Sequence, residues 1–161
     1  MVMEQLRIQR KDIYEIQVND NGDTIVFQLG DLELPFKLDK AFNDVNKIQH
    51  DLKTRLIIID KQKDSKGKND LMSRNQRDRI NAWKDAYSKM RTAMDGFLGE
   101  GGCQKIFGDS NYLEMFDDLF DELDRPQADG KSHLEKMRLS DEAIVKRIED
   151  KYKSAKNKQV I

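Results

Sequence analysis

The chain is poor in the residues that cross-link a fold or carry covalent chemistry. Cys103 is its one cysteine, so no internal disulfide can form, and a reducing compartment is expected. Its two histidines, His50 and His133, are distant in sequence from each other and from Cys103. Local spacing therefore offers neither a Cys–His nucleophile nor a histidine-bearing metal site. Long apolar runs are missing as well. The longest, "LIII" at Leu56–Ile59, falls far short of the ~18 residues of a membrane span, so no membrane partner is expected. The opening "MVMEQLRIQRKD" lacks the apolar centre of a signal peptide, which predicts a cytoplasmic protein. Neither sign of charge dominates, the formal net charge being −1. A general nucleic-acid binder would carry a clear positive excess.

What the chain has is charge, 37% of its residues, unevenly placed. From Asp109 to Asp124 there are seven acids and no lysine or arginine, whereas Lys61–Arg79 holds seven basic residues against three acids. The tail from Lys146 is basic again. Such a dipolar surface favours protein partners or self-association and weakens with salt.

At 161 residues a single fold of the α+β class, mainly α, is expected. Tyr14, Ile16 and Val18 alternate with polar residues, as do Ile25, Phe27 and Leu29, and then Leu32, Leu34 and Phe36. That period of two, with "DNGD" (Asp20–Asp23) and "GD" (Gly30–Asp31) as turns, predicts a three-stranded antiparallel meander. It pairs Val18 with Ile25 and Ile16 with Phe27, and Pro35 makes the third strand an edge. The meander is expected to pack on a bundle of three to four helices.

The first helix is expected over about Asp39–Gln62, capped by Asp39, with Leu38, Phe42, Val45, Ile48, Leu52, Leu56 and Ile59 as its stripe. A polar loop follows, and then a helix over Asp70–Leu98 with Ile80, Trp83, Tyr87, Met90, Met94 and Phe97 on its apolar face. A third helix, Asn111–Leu123, opens after Asp109 or Ser110. A last one opens after Ser140 with a narrow stripe of Ala143, Ile144, Ile148 and Tyr152. Residues 1–12 read as a flexible N-terminus, 13–125 as meander plus helical core, and 126–161 as a C-terminal helical arm with a frayed tail.

"GEGGCQKI" (Gly99–Ile106) is the one stretch that invites an enzymatic reading. Aligned with a P-loop, it puts Gln104 at the second glycine and Ile106 where a metal-binding hydroxyl belongs. It also follows a helix rather than a strand. A helix–helix corner accounts for it better, with Gly99 as a left-handed helix stop, Gly101 and Gly102 reversing the chain, and Ile106 and Phe107 beneath. Glu114, Asp117, Asp118 and Asp121 recur at helical spacing, but no Glu-x-x-His accompanies them, so a solvated face or a docking strip is expected. No catalytic residue, cofactor or metal site is expected.

Across "FLGEGGCQKIFGDSNYLEMFDDLFDEL", over roughly Lys84–Leu123, the sequence resembles the tail assembly chaperones of siphophages infecting Gram-positive bacteria. The resemblance lies in a helix ending Phe-Leu-Gly, then Lys105-Ile106-Phe107-Gly108, then Asn111 ahead of an acidic, aromatic helix around Phe116, Leu119 and Phe120. It implies a protein of the host bacterial cytoplasm that binds the long, helical tape measure protein, keeps it soluble, and helps tail-tube protein polymerise around it. A homo-oligomer is compatible with it. The family also implies a longer form of the chain made by a frameshift near "KNKQVI". The partner-binding faces expected are Met90, Met94 and Phe97, with Tyr112, Phe116 and Phe120, and the acids Asp117 and Asp121 steering the encounter. The alternative is a small regulator that binds nucleic acid through Arg74, Arg77, Arg79 and the basic tail.

Overall fold

The computed structural model describes residues 2–137 and 139. It is mainly helical, with one two-stranded antiparallel sheet and five helices among the described residues. The elements are β1 (Ile13–Gln17), β2 (Thr24–Gln28), α1 (Glu33–Lys61), α2 (Arg74–Leu98), α3 (Gly102–Phe107), α4 (Met115–Asp124) and α5 (His133–Lys136). The helix expected after Ser140 lies outside the described residues. Contacts divide the chain into two compact units: one of residues 2–17, 24–35 and the described chain from Tyr112 onward, the other of Val18–Asp23 and Phe36–Asn111.

In the first unit, β1 and β2 keep the apolar face that the alternation predicts, with Ile25 and Phe27 buried and Val26 exposed. The register differs from the expected one by two residues, Ile16 facing Ile25 and Tyr14 facing Phe27. Asn19 explains the shift. Its Oδ1 accepts from the amides of Asn21 (2.9 Å) and Asp23 (3.2 Å), and the Val18 amide reaches the Asp23 carbonyl at 2.9 Å. The side chain thus closes the four-residue loop over 19–22, one residue earlier than the expected 20–23, and that displacement moves the pairing by two. A slip of two preserves the faces, whereas a slip of one would have reversed them.

The expected third strand does not form, and Leu32–Phe36 instead leads into α1. Asp31 acts as the cap: its Oδ1 accepts from the Glu33 amide at 3.0 Å, and its carbonyl from Leu34 at 3.2 Å. Pro35 then falls in the first helical turn, where a missing N–H leaves nothing unsatisfied. Asp39, expected as the cap, therefore lies inside α1. The helices that share the sheet's unit are α4 and α5. Met115, Phe116, Leu119 and Leu123 of α4 are buried, as are Leu34, Met137 and Leu139. Residues 126–137, read from sequence as part of an arm, belong to this unit. They are organised by Gln127 donating to the Lys131 carbonyl (2.9 Å), by Ser132 capping α5 at the Glu135 amide (3.1 Å), and by a Lys136–Asp129 ion pair (3.0 Å).

In the second unit, α1 and α2 run antiparallel. Arg55 meets Asp85, Asp60 meets Arg79, and Gln62 donates to Asn75 Oδ1 and Asp78 Oδ2. Ala41, Val45, Leu52 and Ile59 are the buried line of α1, while Phe42, expected in that stripe, is 45% exposed. The β-branched run at Ile57–Ile59 stays helical, with Ile57 and Ile58 facing solvent. On α2 the buried residues are Ala82, Ala86, Tyr87, Met90, Met94, Phe97 and Leu98, and Ile80 is exposed. This helix starts at Arg74, four residues later than expected, because Ser73 and Gln76 form a reciprocal capping box. Asp64 braces the same start: its Oδ1 accepts from the Asn75 amide at 3.0 Å, and that bond, first among several, lowers its pKa.

Candidate functional site

Three amides of the glycine-rich corner are taken up by its own hydrogen bonds. Gly99 has φ 98° and its amide bonds the Asp95 carbonyl at 2.9 Å. Its ψ of 162° lies outside the left-handed helical region expected for that stop. Gly101 does sit in that region, at φ 72° and ψ 9°, and caps the short helix α3, which forms within the predicted corner. The Gly102 amide is spent on the Gly99 carbonyl (3.0 Å), and the Cys103 amide on Asp95 Oδ1 (2.8 Å). Amides that a phosphate would need thus face the protein.

Cys103 is buried, and its Sγ lies 3.6 Å from the Arg91 carbonyl. Burial first, and the Asp95 carboxylate second, push its thiol well above the ordinary range. A nucleophilic cysteine needs the opposite environment. Cys103 is accordingly expected to resist a disulfide reagent at pH 8 in the folded chain and to react fully after unfolding in guanidinium. Rapid labelling of the native protein would contradict this packing.

His133 is half-buried, and Tyr14 Oη lies 2.7 Å from its Nδ1. Desolvation, then Lys136, lowers its pKa from 6.5. The unfolded chain therefore binds this proton more readily than the folded one. The contribution to stability is complete above the unfolded value and is lost as pH falls through the folded one. Melting temperature is expected to drop as pH falls below about 6.5, and His133→Gln should flatten that part of the profile. An unchanged profile in the variant would assign the acid sensitivity to the carboxylates. His50 is exposed on α1. Among the described residues no group of three His, Cys, Asp or Glu side chains could hold a metal ion.

The residues expected to bind a partner separate sharply. Met90, Met94, Phe97 and Phe116 are 0–4% exposed and belong to the interior. Tyr112 is 46% exposed, Leu113 beside it 65%, and Phe120 half-buried, with Asp117 and Asp121 exposed. Met90, Met94 and Phe97 lie in the second unit, the other five in the first. The acidic helix begins at Met115 rather than Asn111, because Glu114 takes a left-handed conformation (φ 70°) and places Tyr112 and Leu113 ahead of it. Asp117 and Asp118 in its first turn suit the helix dipole. Burial, then the Asp118 carboxylate, raises the Tyr112 hydroxyl's pKa.

The basic start of α2 is largely neutralised: Arg74 lies 3.9 Å from Asp78, and Arg79 pairs with Asp60. One feature of the second unit escaped sequence reading, a groove of about 460 Å³ along α1 and α2. Lys40, Lys47 and Lys89 line it together with the small residues Ala41, Ala93 and Gly96. The available signal was small residues punctuating two charged helical faces, but only the pairing of the helices makes a groove of them. No family model, curated protein or solved structure matches the chain.

Proposed function

We propose that the chain is a tail assembly chaperone that holds the helical tape measure protein soluble in the host cytoplasm and promotes tail-tube assembly around it. The observation that carries this reading is the strip at the start of α4. Tyr112, Leu113 and Phe120 stand at or near the surface beside Asp117, Asp118 and Asp121, within the segment that carries the family resemblance. Partly exposed aromatics ringed by like charge suit an amphipathic helical partner: the rings supply contact area, and the acids select basic flanks and speed the encounter. Phe116 acts one step behind, as the packing that holds this face in shape, whereas Met90, Met94 and Phe97 belong to the interior of the second unit.

The test is co-expression with a tape measure protein encoded by the same genome. Soluble, co-purifying tape measure protein is expected with the native chain, and its loss with Tyr112→Ser combined with Phe120→Ser, provided that variant keeps its native circular dichroism. A tape measure protein that stays insoluble beside well-folded native chain would refute the proposal.

A further inference from the structure

We infer that the groove between α1 and α2 is a docking site for an amphipathic helix of another protein, one that carries acidic side chains on either side of an apolar ridge. This surface lies in the second unit and is opposite in charge preference to the α4 strip, and the inference stands independently of the tail-assembly reading. Its shape is the first reason. The 460 Å³ groove shares Ile48, Asp51 and Lys89 with a smaller hollow that continues to Arg55 and Asp85. From Lys37 to Arg55 the lining follows α1 for about 27 Å at the helical rise of 1.5 Å per residue. A trough of that length between two helices fits a third helix better than a small anion.

Charge is the second reason. Five cations line the combined trough, Lys37, Lys40, Lys47, Arg55 and Lys89, against the carboxylates Asp44, Asp51 and Asp85. Lys40 is engaged by Asp44 at 2.6 Å, and Asp85 is shared by Arg55 at 3.4 Å and Lys89 at 3.2 Å, while Lys47 has no ion pair among the described residues. The excess favours acidic flanks, yet the three carboxylates oppose a continuous polyanion such as nucleic acid. A second copy is a poorer occupant: Met115, Phe116, Leu119 and Leu123, most of the apolar face of α4, its acidic helix, are buried in its own unit, which leaves only Tyr112, Leu113 and Phe120 at or near the surface.

Gly96 is the third reason. A helical glycine costs up to roughly 1 kcal/mol relative to alanine, less in a last turn such as the one Gly96 occupies in α2, and it is commonly required by a positive φ or by a neighbour that leaves no room. Neither holds here. Gly96 is helical, and a Cβ placed on it would meet nothing within 4 Å. Nothing described within the chain uses the missing side chain, and its effect is to keep the groove open beside Ala41 and Ala93.

The experiment is titration of the full chain with a fluorescent amphipathic peptide of about 18 residues, leucines on one face flanked by glutamates. The same peptide with lysines replacing the glutamates is the control. Saturable one-to-one binding of the glutamate peptide is expected, weakened about tenfold or more in the lysine peptide and in Lys40→Glu/Lys47→Glu/Lys89→Glu. Gly96→Leu, which projects only into the groove, should abolish binding while leaving the melting temperature at or above that of the native chain. The inference is overturned if the glutamate peptide fails to saturate, or if either variant binds it as the native chain does. It is equally overturned if duplex DNA displaces the peptide more tightly than it binds, or if the chain self-associates through this face and Gly96→Leu makes it monomeric.

Discussion

Phe116→Ala is expected to lower the unfolding free energy by about 3–5 kcal/mol, while Phe120→Ser, four residues along the same helix, should cost only about 1 kcal/mol. Phe116 is 1% exposed and lies, with Met115, Leu119 and Leu123, on the buried side of α4, whereas Phe120 is half-buried. Removing the first ring leaves a cavity that the surrounding side chains fill only in part. Removing the second trims a surface. Because a whole domain is held by only about 5–15 kcal/mol, Phe116→Ala should visibly populate the unfolded form at 37 °C, and Phe116→Ser should be worse for burying an unpaired hydroxyl. Urea unfolding followed by circular dichroism measures both. A native-like midpoint for Phe116→Ala would show that α4 does not pack through this ring. The pair also governs the design of any binding experiment: loss of a partner with Phe116 altered would report unfolding, and only Tyr112 and Phe120 can report recognition.

Two glycine-to-alanine exchanges in the second unit are expected to act in opposite directions. Gly102→Ala should destabilise by about 1–3 kcal/mol, although alanine is the better helix former. A Cβ on Gly102 would lie 2.6 Å from the Cβ of Leu98 and close to Asp95 Oδ1 at 3.6 Å. The Leu98 Cβ is fixed to the backbone of α2 and cannot swing aside, so α3 would have to lift. The bonds that seat the corner, from the Gly102 amide to Gly99 and from the Cys103 amide to Asp95, would lengthen with it. Gly96→Ala meets no neighbour and should stabilise by up to about 1 kcal/mol through helix propensity alone. Thermal melts of the two variants beside the native chain decide the matter. Stabilisation by both would mean that α3 stands off α2, and the account of the glycine-rich corner would have to be abandoned.

The α4 strip was half legible in the sequence. The acids and aromatics between Asn111 and Leu123 announce an amphipathic helix, and their residue types point to protein contact rather than catalysis. Which ring faces inward is a different matter. Periodicity places Phe116 and Phe120 on one stripe, because positions four apart differ by only 40° around a helix, and only the neighbouring elements decide where the buried edge of that stripe ends. Met90, Met94 and Phe97 show the same limit: their spacing marks an apolar face, but not whether the chain itself covers it. The groove was less legible still, since its lysines read as an ordinary solvated face until α1 and α2 are set side by side.

The sequence by itself determined the faces of β1 and β2, the existence of α1 and α2, the reversal at Gly99–Gly102, and the scarcity of groups for covalent chemistry. These follow from period, glycine placement and composition, which are local and additive. Some local signals were present and outweighed in the reading: the alternation of Leu32, Leu34 and Phe36 argued for a strand, while Asp31 and Pro35 held the start of a helix, and Ser73 with Gln76 marked where α2 opens. The tertiary structure alone decided the rest. It paired Tyr14 with His133 across 119 positions, buried Phe116 but not Phe120, and turned two charged helical faces into a groove. Each of these depends on which distant atoms compete for the same volume or the same hydrogen bond, and no window along the chain contains both competitors.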